Sequence, residues 1–239
     1  MIEELKSEGE CLYCGNMFSQ REIGKHLAEH LTIMEKESAG IGKESAGIGK
    51  ESTGKRVSNY VHVEVDAGKM FLHLLVKGDA QMKVIDQFLR DIWLECCDHL
   101  SAFGHKNFKI AMSYRVEDVF QPRIKIYHDY DFGSTTRVYL KAHKHYQLNL
   151  KEKIILLSRN EPLKIMCSMC KKEPAVNICT ACWYEEEAFF CEACSEKHAE
   201  ECEDFNDYAQ MPVVNSPRMG VCGYTGGTID LVRDEPYTR

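Results

Sequence analysis

The sequence predicts an α+β fold: a small, mostly antiparallel sheet covered by one long helix, with two separate small zinc-binding modules attached. Three observations predict it. Apolar residues alternate in short runs from Tyr60 onward, they recur at helical spacing between Met82 and Phe103, and most of the 12 cysteines fall in clusters at either end of the chain.

The middle of the chain, residues 59–160, carries the sheet and the helix. Tyr60-Val61-His62-Val63-Glu64-Val65 alternates as a strand, and the run from Phe71 to Val76 follows across a short Asp-Ala-Gly turn. Lys77-Gly78-Asp79 breaks that second strand, with Asp79 placed to cap a helix. Met82, Ile85, Phe88, Leu89, Ile92, Trp93, Cys96, Leu100 and Phe103 then mark one amphipathic helix, over roughly 80–98, that lies on the sheet. Further strand-like runs occupy 107–114, 123–129, 135–143 and 153–158.

A chain of 239 residues with 44% hydrophobic and 10% aromatic residues is an ordinary globular mixture, which excludes wholesale disorder. No window approaches ~18 consecutive apolar residues, so no membrane span is expected. The acidic start MIEELKSEGEC does not read as a signal peptide. The expected location is the cytoplasm. In that reducing compartment disulfides rarely persist, and clustered cysteines are better read as metal ligands. The formal charge of −7 argues against a strong general affinity for nucleic acid. It is uneven: residues 161–239 carry 7 basic against 15 acidic groups, so the C-terminal third would repel phosphate.

Residues 1–34 form the first cysteine unit: Cys11-Leu-Tyr-Cys14, eleven residues, His26, three residues, His30. Imidazoles at i and i+4 share a helix face and can meet one ion, while C-x-x-C in a tight turn supplies two thiolates. Phe18 and Ile23 stand where a two-Cys two-His finger buries its small core. The competing reading is two incidental histidines on a surface helix beside a redox C-x-x-C. The finger is favoured because a unit of this size has too little core to fold without metal. Residues 35–58 contain KESAGIG, KESAGIG and KESTG in tandem. Two glycines in each full unit cost a helix about 1 kcal/mol apiece, which predicts a flexible linker and a tethered, mobile finger.

The second unit lies in residues 161–239, which end in a Gly-rich tail. Its ligands run Cys167-Ser-Met-Cys170, Cys179-Thr-Ala-Cys182, Cys191-Glu-Ala-Cys194, His198, Cys202. Eight ligands suit two tetrahedral ions with none left over, so three Zn²⁺ ions are expected in the whole chain. The spacing resembles that of B-box and other cross-braced fingers. In those, ligand pairs one and three share one ion and pairs two and four the other. The resemblance therefore implies Cys167, Cys170, Cys191 and Cys194 on one ion, and Cys179, Cys182, His198 and Cys202 on the second. Sequential ligation is the competing arrangement. Closed four-ligand sites of this kind are structural, and the acidic residues Glu185–Glu187 and Glu200–Asp204 read as a solvated face.

Between the two units, Trp93…His99-Leu-Ser-Ala-Phe103, then Val116-Glu-Asp-Val-Phe120, then Tyr130-Asp-Phe-Gly-Ser134 resemble the plasmid ORF-three-like family (pRiA-type, also labelled passenger TnpR-type proteins). The resemblance covers about residues 59–155. It implies a compact α+β domain with a curved sheet and a link to mobile elements, but no defined chemistry.

No nucleophile–base–orienter set stands out, and no catalytic residue is assigned. Cys96 falls on the apolar stripe and reads as a small core residue rather than half of a vicinal redox pair with Cys97. His99, His128 and Asp131 read as structural, and Asp131-Phe-Gly133 lacks every other kinase signature. Cys222 is expected in a loop folded back on the domain. The expected function is a zinc-binding, non-enzymatic recognition or adaptor protein. Nucleic acid would meet the N-terminal finger, through Arg21 and Lys25, and a protein partner the C-terminal module. The alternative is an enzyme acting on nucleic acid with a site near Tyr130–Ser134.

Overall fold

The computed structural model describes residues 5–44, 57–183 and 188–237. A seven-stranded sheet, antiparallel throughout, organises them. Its strands are β3 (Ser58–Ala67), β4 (Met70–Lys77), β5 (Ser101–His105), β6 (Phe108–Ile110), β7 (Lys125–Tyr130), β8 (Thr136–Leu148) and β9 (Ile154–Arg159), in the order β6-β5-β7-β8-β3-β4-β9. Two small sheets stand apart. One is the hairpin of β1 (Glu8–Glu10) and β2 (Met17–Ser19), and the other joins β10 (Asn177–Cys179), β11 (Phe189–Phe190) and β12 (Gln210–Pro212) in the order β11-β10-β12.

Alternation along β3 and β4 sends successive side chains to opposite faces, and both faces are buried. Val61, Val63, Val65, Leu72, Leu74 and Val76 pack under α2 (Lys83–Leu89) and the residues flanking it, where Met82, Ile85, Leu89, Ile92 and Trp93 cover them. Tyr60, Phe71 and Leu75 point the other way. There Ile23, Leu27 and Leu31 of α1 (Gln20–Glu44) cover them, all three fully buried. Burial of three such side chains is worth about 1.5–3 kcal/mol each. The sheet thus lies between two helices rather than under one.

Several expectations are corrected. The N-terminal unit is not a tethered, mobile finger. Its helix continues through the first repeat to Glu44 despite Gly40 and Gly42, because the sheet supplies what local propensity lacks. Glu35 Oε1 accepts the Gln147 N–H at 2.8 Å and Ser38 Oγ accepts the Asn149 N–H at 3.2 Å, tying the helix to the end of β8. Its hairpin is also docked: the Leu12 N–H donates to the Leu157 carbonyl, the Glu161 N–H to the Glu8 carbonyl, and Gly9 bridges Asn160. The remaining repeats, at 45–56, lie outside the described residues, as do Glu185–Glu187 of the acidic segment.

The long helix over 80–98 is shorter. It runs from Lys83, widens into a π-helical turn at Arg90–Leu94, and stops where Glu95 turns extended. Leu100 is consequently 74% exposed, and Phe103 is buried from strand β5, not from a helix. The strand expected at 107–114 is only β6, because Met112 and Tyr114 carbonyls receive N–H groups of Lys83 and Met82 at the start of α2.

The C-terminal residues after β12 keep some contact with their zinc-ligand unit, through the Val213 N–H on the Val176 carbonyl, but run back to the main sheet. They wrap the end of α2 and are held by two fully buried arginines. Arg159 of β9 donates to Asp234, to Asp230 at 3.1 Å and to the Asn215 carbonyl at 2.7 Å. Arg218 donates to Asp131 at 2.7 Å, to the Ser134 carbonyl at 3.1 Å and to Thr136 Oγ1 at 3.0 Å. The carbonyls freed by the π-helical turn are also used: Ser216 Oγ donates to the Trp93 carbonyl and the Thr228 N–H to the Asp91 carbonyl, both at 2.6 Å. Gly227 permits that approach, since a Cβ there would stand 2.6 Å from the carbonyl oxygens of Asp91 and Ile92.

At Gly24 α1 approaches the sheet closely: a Cβ there would fall 2.8 Å from His143 Cε1 and 3.1 Å from His73 Cε1. Gly24→Val is therefore expected to destabilise the protein by about 1–3 kcal/mol through overpacking, read as a lower urea midpoint, whereas Lys36→Val on the same helix, away from this contact, should change little.

Candidate metal centres

Three groups of four side chains converge tightly enough to hold one metal ion each, and they use all twelve ligand positions expected from the sequence. Within each group every ligand atom lies within 4.8 Å of every other. Tetrahedral zinc with thiolates at about 2.3 Å requires edges of about 3.8 Å, so these groups have the right size.

The first group is Cys11, Cys14, His26 and His30. The β1–β2 hairpin presents the two sulfurs in a tight turn, where the Gly15 N–H donates to the Cys11 carbonyl at 2.9 Å and Gly15 takes φ +69°. The first turns of α1 present the imidazoles. Cys14 Sγ and His30 Nε2 each lie 3.2 Å from His26 Nε2, and Phe18 stacks on the His26 ring at 3.9 Å. Burial and the positive charge that His30 would carry hold His26 below its ordinary pKa, in the neutral form that binds metal.

The second group is Cys167, Cys170, Cys191 and Cys194, and the third is Cys179, Cys182, His198 and Cys202. The ligand pairs interleave: the first C-x-x-C meets the third, and the second meets the His198/Cys202 pair. The β-sheet explains the interleaving. β10 ends at Cys179 and pairs with β11, which delivers Cys191 at the start of α4 (Glu192–Glu201), so α4 carries Cys194 to one group and His198 to the other. Cys170 and Cys191 sulfurs are 3.9 Å apart, Cys179 and Cys202 4.0 Å, and Cys182 lies 3.7 Å from His198 Nε2. Phe190 stacks on His198 at 4.2 Å and Phe205 meets its edge at 5.0 Å, which fixes the ring.

Electrostatics give the reason these sulfurs need a cation. Burial and the adjoining thiols push Cys182 and Cys194 up to about 12, since neighbouring thiolates repel one another. Cys170 and Cys167 shift the other way: the backbone N–H groups of Lys172 and Glu173 hold Cys170 down to about 6, and, against burial, those of Cys170, Cys191 and Met169 lower Cys167. A divalent ion removes the repulsion and permits all the thiolates at once. The core around the two C-terminal groups is itself largely cysteine, with Ala188, Phe190, Phe205 and Ala209 as its main other buried members.

Two further groups were not anticipated. Cys96, Cys97, His99 and Cys222 converge beside the tail. Cys96 packs against the main core, as its place on the apolar stripe suggests, but it is only half-buried and its sulfur faces this cluster. The other group is Glu64, His73 and His143 under α1. Here His143 Nε2 sits 2.6 Å from Glu64, His73 Nδ1 sits 3.0 Å from His62 Nε2, and burial drives His73 down to about 3. The other residues tempting as catalysts are dispersed: His128 is buried against Asp86 at 2.7 Å, while Asp131 is held to about 2 by Arg218.

No family model matches the chain, and no curated protein matches it. Among solved structures, a crystal structure of a protein of unknown function from Methanosarcina mazei Go1 aligns with a TM-score of 0.37 at 12% identity, over 41% of this chain and 67% of that one.

The interleaved geometry makes a test by paired substitution. Cys170→Ser with Cys194→Ser touches a single group and is expected to lower the metal content by one ion per chain in native mass spectrometry. Cys170→Ser with Cys182→Ser touches both groups and should lower it by two. Sequential ligation predicts the reverse, because Cys170 and Cys182 would then share an ion.

Proposed function

We propose that the protein is a zinc-dependent, non-enzymatic recognition protein that binds nucleic acid through its N-terminal finger and a protein partner through its C-terminal module. The zinc reading rests on the ligand chemistry. Thiolate and imidazole in sets of four suit Zn²⁺, and sets closed entirely by protein side chains act structurally.

One observation carries the nucleic-acid half. The finger does not present Arg21 and Lys25 alone. Both line an open groove of about 840 Å³ between α1 and the sheet, where Lys141 and Lys144 of β8 join them. Glu64 and Asp66 share that groove, but Glu64 is engaged by Lys141 at 3.1 Å and by His143 at 2.6 Å. Four basic side chains along one groove offer a phosphate backbone more positive charge than the thin basic face of a helix alone, although Lys141 pairs with Glu64 and Lys144 with Glu35 at 3.6 Å. The acidic C-terminal module, 7 basic against 15 acidic groups over residues 161–239, suits a protein partner instead. Among the described residues no helix is long and apolar enough to cross a membrane.

The enzyme reading, with a site near Tyr130–Ser134, is disfavoured by how those residues are used. Asp131 is committed to Arg218 and to the Gly133 N–H, and the Tyr130 hydroxyl donates to Glu95 at 2.9 Å. The Tyr130–Ser134 segment, one of three on which the resemblance to plasmid ORF-three-like proteins rests, is thus an anchor for the tail.

Fluorescence anisotropy of the full chain on short DNA and RNA duplexes tests the proposal. Binding is expected at low salt, and Arg21→Gln with Lys25→Gln should reduce the slope of log K against log salt by about 2 on DNA, at about 0.9 per phosphate contact. Absence of binding at low salt would leave the finger as a protein-binding unit and the chain as an adaptor only.

A further inference from the structure

We propose that Cys96, Cys97, His99 and Cys222 form a fourth metal site, one that takes a zinc ion and clamps the glycine-rich tail to the loop after α2. It belongs to none of the three groups above, and its ligands come from two segments more than a hundred residues apart in the chain. Cys97 Sγ lies 3.5 Å from Cys96 Sγ, 3.6 Å from Cys222 Sγ and 3.3 Å from His99 Nε2, and His99 Nε2 lies 3.3 Å from Cys222 Sγ. All four ligand atoms fall within 4.8 Å of one another. These are the edges of a tetrahedron slightly smaller than the about 3.8 Å that zinc thiolates need, so an ion would spread the ligands by a few tenths of an ångström. Three thiolates and one imidazole are the donor set of a soft ion, and Zn²⁺ is the commonest to take it with that geometry.

The surroundings are built for this convergence. Between Cys97 and His99 the backbone passes through the left-handed region at Asp98 (φ 58°), and Cys222 is itself left-handed (φ 52°). Both are non-glycine residues in a sparsely populated conformation, and the turn at each brings its ligands to one side. The Tyr130 hydroxyl lies within hydrogen-bond reach of the N–H groups of Cys96 and His99, 3.4 and 3.3 Å away, which fixes both ends of the ligand loop. The buried Arg218 donates from Nε to Cys96 Sγ at 3.4 Å, and a guanidinium there favours the thiolate. The same arginine holds Asp131, whose Oδ2 is 3.6 Å from His99 Nε2, as an outer neighbour of the site. What sets this site apart is access. Cys97 and Cys222 are exposed, whereas each of the three other groups contains at least one buried sulfur. An ion at this position would be the first to leave.

The test uses the intact chain, purified under reducing conditions and supplied with zinc. Alkylation with iodoacetamide followed by peptide mapping is expected to leave Cys97 and Cys222 protected, and a mild chelator should make these two react before any other cysteine. In parallel, native mass spectrometry of Cys97→Ser and of Cys222→Ser should show one ion fewer than the parent, with the finger and the interleaved pair still loaded. Immediate alkylation of Cys97 and Cys222 in the zinc-loaded parent would overturn the proposal, because exposed free thiols react at once. So would an equal ion count in the parent and both variants, or a Cys97–Cys222 disulfide in the freshly reduced protein. The alkylation arm needs no substitution, so a variant that fails to fold does not decide the outcome.

Discussion

The burial of β3 and β4 on both faces is the constraint from which the rest of the architecture follows. Antiparallel sheets often leave one face to water. Here the central pair cannot, because Tyr60, Phe71 and Leu75 on one side are as fully buried as Val63, Leu72 and Leu74 on the other. Two covering helices are therefore required, and the chain has only one helix in its middle region long enough to serve, α2 with its π-helical extension. The second cover comes from the N-terminal cysteine unit, whose helix exceeds what a finger of that type needs. Its first turns hold His26 and His30 toward the thiols, while Ile23, Leu27 and Leu31 hold it to the sheet. One helix serves two interfaces.

The same economy appears at the other end of the chain. The interleaved cysteine unit has a small core of its own around Phe190 and Phe205, but Leu163, Ile165, Ile178, Phe189, Met211 and Val213 belong to the core of the main sheet. Two ions at these groups would hold what apolar burial cannot, leaving the outer surface of the unit free to be acidic. The tail then returns to α2. Burying Arg159 and Arg218 would be strongly unfavourable without partners, and each has a carboxylate together with backbone or side-chain acceptors. Loss of one partner would leave a buried charge, so these pairs give the tail a unique position more than they give it net stability.

How much of this was legible in the sequence depends on the range of the signal. The ligand sets at Cys11–His30 and Cys167–Cys202 were legible because ligand spacing is a local property, set by turns and by one helical repeat. β3 and β4 were legible because a period of two is local as well. The length of α1 was not, since Gly40 and Gly42 argue for a break and the opposing bonds from Glu35 and Ser38 reach residues more than a hundred positions away. Strand β5 was hidden for a different reason. Cys96, Leu100 and Phe103 continue the helical period of α2 by coincidence, and nothing local announces the π-helical turn at Arg90–Leu94 that ends it. The cluster of Cys96, Cys97, His99 and Cys222 had half a signal. A C-C-x-H run supplies too few ligands by itself, and only the fold of the tail brings the missing sulfur.

These features couple metal binding to the surface proposed for recognition. Cys11 is both a ligand of the first group and a fully buried member of the core beneath α1, next to Ile23 and Leu27. Whatever orders the Cys11 turn therefore also orders the packing that holds α1 to β8, and the groove between them exists only while the helix is docked. Arg21 and Lys25 sit on one wall of that groove and Lys141 and Lys144 on the other, so their spacing is set by the sheet and not by the finger. An isolated finger would keep the two helix cations and lose the two strand cations. Under the proposed reading, metal at the first group would act on recognition at a distance, through the position of a helix, although no ligand of that group lines the groove. The ion's contribution is to a stable arrangement of charges, which is the role a closed four-ligand site can fill.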